Sequence, residues 1–189
     1  MRFALPFPVV VASILAGSTA FAQTLIHVPP FNSIELEGGG HVVVKYGQEQ
    51  QVRLLSGSTA FTRIEVEEGN KLRIEACNDQ CPHRYNLDVE ITTPRIDALA
   101  ISGGGRIEAA DGFPPPNKLT LAVDGGGTID SRSLRVARAT AAIEGGGVIK
   151  LSAAEKLTAA INGGGKIQYW GEPKLTEAVE GGGDVERGE

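Results

Sequence analysis

Two carboxylates are the first residues to suggest chemistry. Asp124 and Glu144 each stand directly before a run of three glycines. If the segments that carry them stack in register, their carboxyl groups fall about 5 Å apart, the separation a retaining glycosidase uses. The equivalent position in the other glycine runs holds Glu37, Ser102, Asn162 and Glu180. Such residues favour turns and solvent, and no neighbour is set to raise one pKa above the other. Polysaccharide cleavage by this pair is thus the alternative reading, and no catalytic residue is assigned.

The second group is Cys77-Asn78-Asp79-Gln80-Cys81 with His83. A disulfide between Cys77 and Cys81 is the default where thiols oxidise, and so short a loop stabilises by only about 2 kcal/mol. A metal held by the two cysteines, Asp79 and His83 is the sharper alternative. Haem attachment is disfavoured because Pro82 separates Cys81 from His83. His27 and His41 are too far from His83 in sequence to suggest a centre. Gly181-Gly182-Gly183-Asp184 has the look of a calcium repeat, but the residues after the other triplets are His41, Arg106, Thr128, Val148 and Lys166, so the aspartate ladder is missing. No metal and no cofactor are expected.

The elements that must position these residues come from an internal repeat. The triplets are Gly38-Gly39-Gly40, Gly103-Gly104-Gly105, Gly125-Gly126-Gly127, Gly145-Gly146-Gly147, Gly163-Gly164-Gly165 and Gly181-Gly182-Gly183. Two residues before each stands Leu36, Ile101, Val123, Ile143, Ile161 or Val179, and four after its start Val42, Ile107, Ile129, Ile149, Ile167 or Val185. Alternation of period two on both sides of a glycine corner describes strand, corner, strand with one face of each buried. Coils of this length cannot bury a face alone and must stack. The expected architecture is all-β: a parallel β-solenoid of flattened two-sheet coils with Gly-Gly-Gly corners. All three glycines of a corner, Gly146 included, are expected to need positive φ or close stacking. Ser133–Ala142 and Ser152–Ala160 have helix-favouring composition, but their register in the repeat predicts strand.

Length varies only at the opposite corner: Asp111–Asn117, Ser131–Ser133, Ser152–Lys156 and Trp170–Lys174. Candidate binding groups are Trp170 and Tyr169, which flank one such corner, and Phe113 in the longest loop, since loops on a rigid scaffold carry recognition. Before the regular coils, short alternating runs are legible at Ser33–Glu37, His41–Tyr46, Gln51–Leu55, Ile64–Glu67, Lys71–Glu75 and Leu87–Thr92, with a turn at Glu68-Gly69-Asn70.

The chain has 189 residues, a net charge of −5, 41% hydrophobic and 5% aromatic residues. The acidic balance, without a Lys/Arg cluster, excludes a basic nucleic-acid binder. Regular apolar spacing excludes disorder. Residues 1–22 read as a signal peptide: Arg2, an apolar run from Phe3 to Leu15, then Ala20-Phe21-Ala22 before a cut between Ala22 and Gln23. The run is short and broken by Pro6 and Pro8, so no membrane span is expected after cleavage, and the address is the periplasm, the exterior or the cell surface. Residues 23–189 then form one domain, irregular over 23–95 and regular over 96–187, and nothing after Val185 is long enough for a stalk.

The repeated aliphatic-polar-Gly-Gly-Gly-x-aliphatic unit, with Phe31-Asn32-Ser33-Ile34 and the run from Leu87 to Thr93-Pro94-Arg95, resembles the head GIN domain of auto-transporter adhesins over about Phe31 to Val185. That family's usual corner is Gly-Ser-Gly or Gly-Ala-Gly. The resemblance implies a right-handed β-helix-like fold, a role in adhesion and no catalytic residues. The reading is an exported, non-enzymatic, adhesin-like domain that binds an unidentified envelope or surface component, protein or glycan.

Overall fold

A computed structural model describes residues 24–78 and 81–189. The signal-peptide segment 1–22, with Gln23, and Asp79 and Gln80 of the cysteine loop lie outside the described residues. Every regular element described is a strand: β1 (Thr24–Ile26), β2 (Ser33–Gly38), β3 (His41–Tyr46), β4 (Gln51–Ser56), β5 (Arg63–Glu67), β6 (Lys71–Glu75), β7 (Asp88–Thr93), β8 (Ala98–Gly103), β9 (Arg106–Ala109), β10 (Lys118–Gly125), β11 (Thr128–Gly145), β12 (Val148–Gly163), β13 (Lys166–Trp170), β14 (Lys174–Gly181) and β15 (Asp184–Arg187). All fifteen join in one sheet of mixed orientation.

The long strands β11 and β12 explain how one sheet encloses a core. The first residues of β11 pair with β9, its last eight with β10, so each long strand belongs to both sides of the molecule. One side runs β5, β6, β2, β8, β10, β11, β12, β14, and the other runs β1, β4, β7, β3, β9, β11, β12, β13, β15. Equivalent repeat positions fall in register: Leu36, Ile101, Val123, Ile143, Ile161 and Val179 are successive partners, as are Val42, Ile107, Ile129, Ile149, Ile167 and Val185. These columns bury their side chains, apart from the half-covered Val185 and the exposed Val179 of the last turn. Ala139, Ala141, Ala153 and Ala159 are buried too. The two segments of helix-like composition lie within β11 and β12, where their alternate residues are buried against paired strands, contacts that a helix would discard.

The glycine corners are not uniform, and here one expectation is corrected. The first glycine of every triplet has positive φ, from +87° at Gly38 to +129° at Gly163. A Cβ on Gly163 would lie 2.5 Å from the Gly145 carbonyl oxygen. The third glycine is packed as tightly, since a Cβ on Gly147 would meet Val123 at 2.4 Å and the Gly127 carbonyl oxygen at 2.8 Å. Gly146, the middle glycine, faces open space and needs no positive φ. Its N–H donates to the Gly125 carbonyl at 2.9 Å, a bond any residue but proline makes.

The N-terminal part departs from the expected all-parallel arrangement. β1 runs antiparallel to β4, β4 to β7, and β5 to β6. The hairpin β5–β6 turns at Gly69 (φ +82°) and Asn70 (φ +60°), two consecutive positive-φ residues that reverse a chain tightly and so impose antiparallel pairing.

Candidate functional site

Side-chain chemistry collects on the edge opposite the glycine corners, where register breaks. Ser131 pairs with Leu151 and Arg135 with Ser152, the next residue. The three residues Arg132 to Leu134 therefore have no partner on β12. Leu134 turns inward and is buried, which leaves Arg132 and Ser133 on the rim. Ser133 Oγ donates to the Ala109 carbonyl, and Ser152 Oγ donates to the Arg132 carbonyl at 2.7 Å.

Arg132 grips Asp130 as a fork, Nε to Oδ1 at 2.9 Å and Nη2 to Oδ2 at 2.7 Å. Burial pushes the Asp130 carboxyl up, but the hydrogen bonds and charge of Arg132 outweigh it and hold it below the usual carboxylate range. The pairing in turn raises the guanidinium pKa, and its carbon lies 5.2 Å from the centre of the Trp170 ring, within cation–π range. The indole N–H donates to the Glu189 carbonyl at 3.0 Å. Glu172 accepts from Arg187 at 3.2 Å.

Arg132, Trp170 and Glu172 line a recess of about 610 Å³ with Arg135, Ser152 and Ala154. A second recess of about 480 Å³ continues from it past Arg135 and Arg132 to Asp130, Asp111, Glu108 and Arg106. Arg135 is exposed, lines both, and makes no ion pair among the described residues. Among the described residues it is the cation lining these two recesses that has no ion pair. A third recess, about 710 Å³, lies between Arg95–Asp97 and the loop Phe113–Asn117.

The residues singled out from the sequence separate in space. Trp170 lines the recess with Arg132. Tyr169, by contrast, packs against the core. So does Phe113, which also meets Tyr46 edge to face with ring centres 5.6 Å apart. Asp124 and Glu144 are direct register partners, both exposed, on a different surface from the recess. Cys77 and Cys81 are bridged, Sγ–Sγ 2.07 Å. His41 lies between Asp88 (3.8 Å) and Glu108 (3.6 Å). Among the described residues no group of three or more His, Cys, Asp or Glu could hold a metal ion, and no helix is long and apolar enough to cross a membrane. Arg132 and Arg135 escape a reading of the sequence because isolated arginines carry no signal. The uneven corner length at Ser131–Ser133 is the trace they leave.

With this geometry in view, residues 30–113 and 116–173 match the family described as putative auto-transporter adhesin, head GIN domain. The chain belongs to that family. Among solved structures, GIN-like folds recur in a putative adhesin from Bacteroides fragilis NCTC 9343, 18% identical with a TM-score of 0.53, the match covering 90% of this chain and 98% of that one. A putative adhesin from Parabacteroides distasonis ATCC 8503 is 16% identical, TM-score 0.45, over 88% and 96% of the two chains. A putative lipid binding protein from the same organism is 14% identical, TM-score 0.42, over 89% and 96%. No curated protein matches this GIN-domain chain.

Proposed function

We propose that the chain is an exported, non-enzymatic, adhesin-like domain of the cell envelope or surface, a right-handed β-solenoid whose variable edge binds a surface component. The solenoid reading rests on the in-register parallel partners that link β8 through β14, and the hand on the steric preference of parallel crossovers. Export follows from the signal-peptide reading of residues 1–22, and adhesion from the family. The carrying observation is the recess in which the unpaired Arg135 cation lies beside the Arg132–Trp170 pair. An anionic ligand suits this recess: its carboxylate or sulfate takes the free Arg135 guanidinium in a bidentate hold, next to the indole that Arg132 already covers. That is the chemistry of an acidic glycan.

The test is binding of the purified protein to immobilised acidic and neutral polysaccharides, with product analysis of the same mixtures. Retention on the acidic polymer, weakened at least about tenfold by Arg135→Ala and without chain shortening, is the expected outcome. Equal retention by Arg135→Ala refutes the recess. Release of short products that Asp124→Ala or Glu144→Ala abolishes refutes the non-enzymatic reading.

A further inference from the structure

The outward face of β8, β10, β11, β12 and β14 repeats one pattern in register. Lys118, Arg138, Lys156 and Lys174 form a column of cations, and Thr120, Thr140, Thr158 and Thr176 a column of hydroxyls. Ala100, Ala122, Ala142, Ala160 and Ala178 form a flat floor. Ser102, Asp124, Glu144, Asn162 and Glu180 form the last column. On β10, β11, β12 and β14 the face thus reads cation, threonine, alanine, then acid or amide, with the two ends six residues apart, while β8 supplies Ala98, Ala100 and Ser102.

Neither end column is satisfied within the molecule. Like charges stacked on neighbouring strands, about 4.8 Å apart, repel. The opposite column lies about 20 Å away along the strand, beyond the reach of the side chains. Among the described residues none of the four cations, nor Asp124, Glu144 or Glu180, makes an ion pair; Arg138 only donates to Asn117 Oδ1 at 2.7 Å. The face is level because its centre is alanine, where a shallow trough of about 300 Å³ lies beside Asp124 and Glu144.

We propose that this face binds a second copy of the chain, related by a two-fold axis parallel to the direction in which the coils stack. That operation reverses the strands while leaving each coil level with its counterpart. It sets every cation column against the partner's acidic column and each threonine row over the partner's alanine floor. Lys118 then meets Asp124, Arg138 meets Glu144 and Lys174 meets Glu180, each pair formed twice; Lys156 faces the neutral Asn162. Five strands by seven residues cover about 24 Å by 23 Å, so roughly 1,100 Å² is buried between two copies, which meets the minimum of a specific contact. The match is isologous, as a two-fold interface requires. A two-fold axis along the strands would set like columns together instead. This inference is independent of the recess, and it gives Asp124 and Glu144 a role other than catalysis.

Sedimentation velocity over a concentration series tests it, with far-UV circular dichroism to establish that each variant folds. The wild type is expected to show a monomer–dimer equilibrium that weakens with salt. Arg138→Glu and Glu144→Arg should each weaken it at least about tenfold. An equimolar mixture of the two variants, or the double variant, should re-associate, because reversing both ends restores opposite charges. Ala142→Trp, which fills the trough, should give monomer. A wild type that stays monomeric at every concentration overturns the proposal. So does a dimer indifferent to either reversal, or single variants that associate no better when mixed. If Arg138→Glu instead loses retention on an anionic polymer while the wild type stays monomeric, the cation column serves an external polyanion and the dimer is refuted.

Discussion

The N-terminal part of the molecule and its regular repeats close the same core by different means. From β8 onward the chain turns at corners made of backbone: the first glycine turns with positive φ, the second donates to a carbonyl of the preceding triplet, and the third leaves room for an aliphatic side chain. Over β1 to β7 backbone turns of this kind remain at Gly38 and at Gly69-Asn70, and side chains and a cross-link are added to them. Arg73 binds Glu37 and Glu67, Lys71 binds Glu35 and Glu67, the Tyr85 hydroxyl meets Thr62 at 2.6 Å, and Cys77 is tied to Cys81. A repeat can specify its own continuation but not its end. The first turn needs particular residues because among the described residues no equivalent turn lies beneath it.

The comparison breaks most sharply at the corners. Gly145→Val places a β-branched residue at φ +107°, with its Cβ 2.8 Å from the Gly125 carbonyl oxygen. A loss of about 3 kcal/mol or more is expected, which for a domain of this size lowers Tm by more than about 6 °C. Gly146→Val, one residue on, points into solvent and should cost less than about 1 kcal/mol. Thermal unfolding of the two side by side measures the contrast; equal shifts would mean that the corner is not held by its first glycine.

Much of this is legible in the sequence. The aliphatic columns and the strand limits of β2, β3 and β6 follow from period-two alternation, because each recurring position meets the same neighbours above and below. Alternation does not tell parallel from antiparallel pairing, however, so β4, β5 and their partners gave no sign of running against their neighbours. The roles of the three glycines were equally hidden, since sequence carries no φ. The site was half visible. Trp170 was found as an aromatic at an uneven corner, while Arg135 depends on a register break that only pairing reveals. The outward columns needed no new residue type, only the observation that Lys118 and Asp124 recur together in Arg138 and Glu144.

A middle-sized effect belongs to the bridge. Opening Cys77–Cys81 frees a loop of few residues, so the chain-entropy contribution is about 2 kcal/mol at most, and it acts on the segment after β6 alone. Unfolding in denaturant with and without reductant should shift the midpoint modestly. Hydrogen exchange should rise around β5 and β6 while β10 to β12 stay protected. Uniform deprotection of both parts would show that the end turn and the repeats unfold as one unit and would remove the distinction drawn here.

The smallest effect tests whether charge supports the first turns. Hydrogen bonds from Lys71, then Arg73, hold the Glu67 carboxyl below its ordinary pKa of 4.5, and the same contacts raise Lys71, through Glu35 first and then Glu67. A carboxylate whose folded pKa is depressed binds its proton less readily folded than unfolded. Its stabilising contribution is therefore present above the ordinary value and is lost as pH falls through the folded one. The side chain is well hydrated, so solvent screens the contribution and only a shallow dependence is expected. Between about pH 6 and pH 3 the Tm of the wild type should fall slightly more than that of Glu67→Gln, and about 1 M salt should narrow the gap. Glu186, lowered by Lys166 in the regular part, supplies the control: Glu186→Gln should flatten the same curve without altering exchange at β5 and β6. If Glu67→Gln leaves the pH profile of the wild type intact, the ion pairs of the N-terminal hairpin are surface ornament, and its antiparallel turn and disulfide alone account for how this end of the sheet is closed.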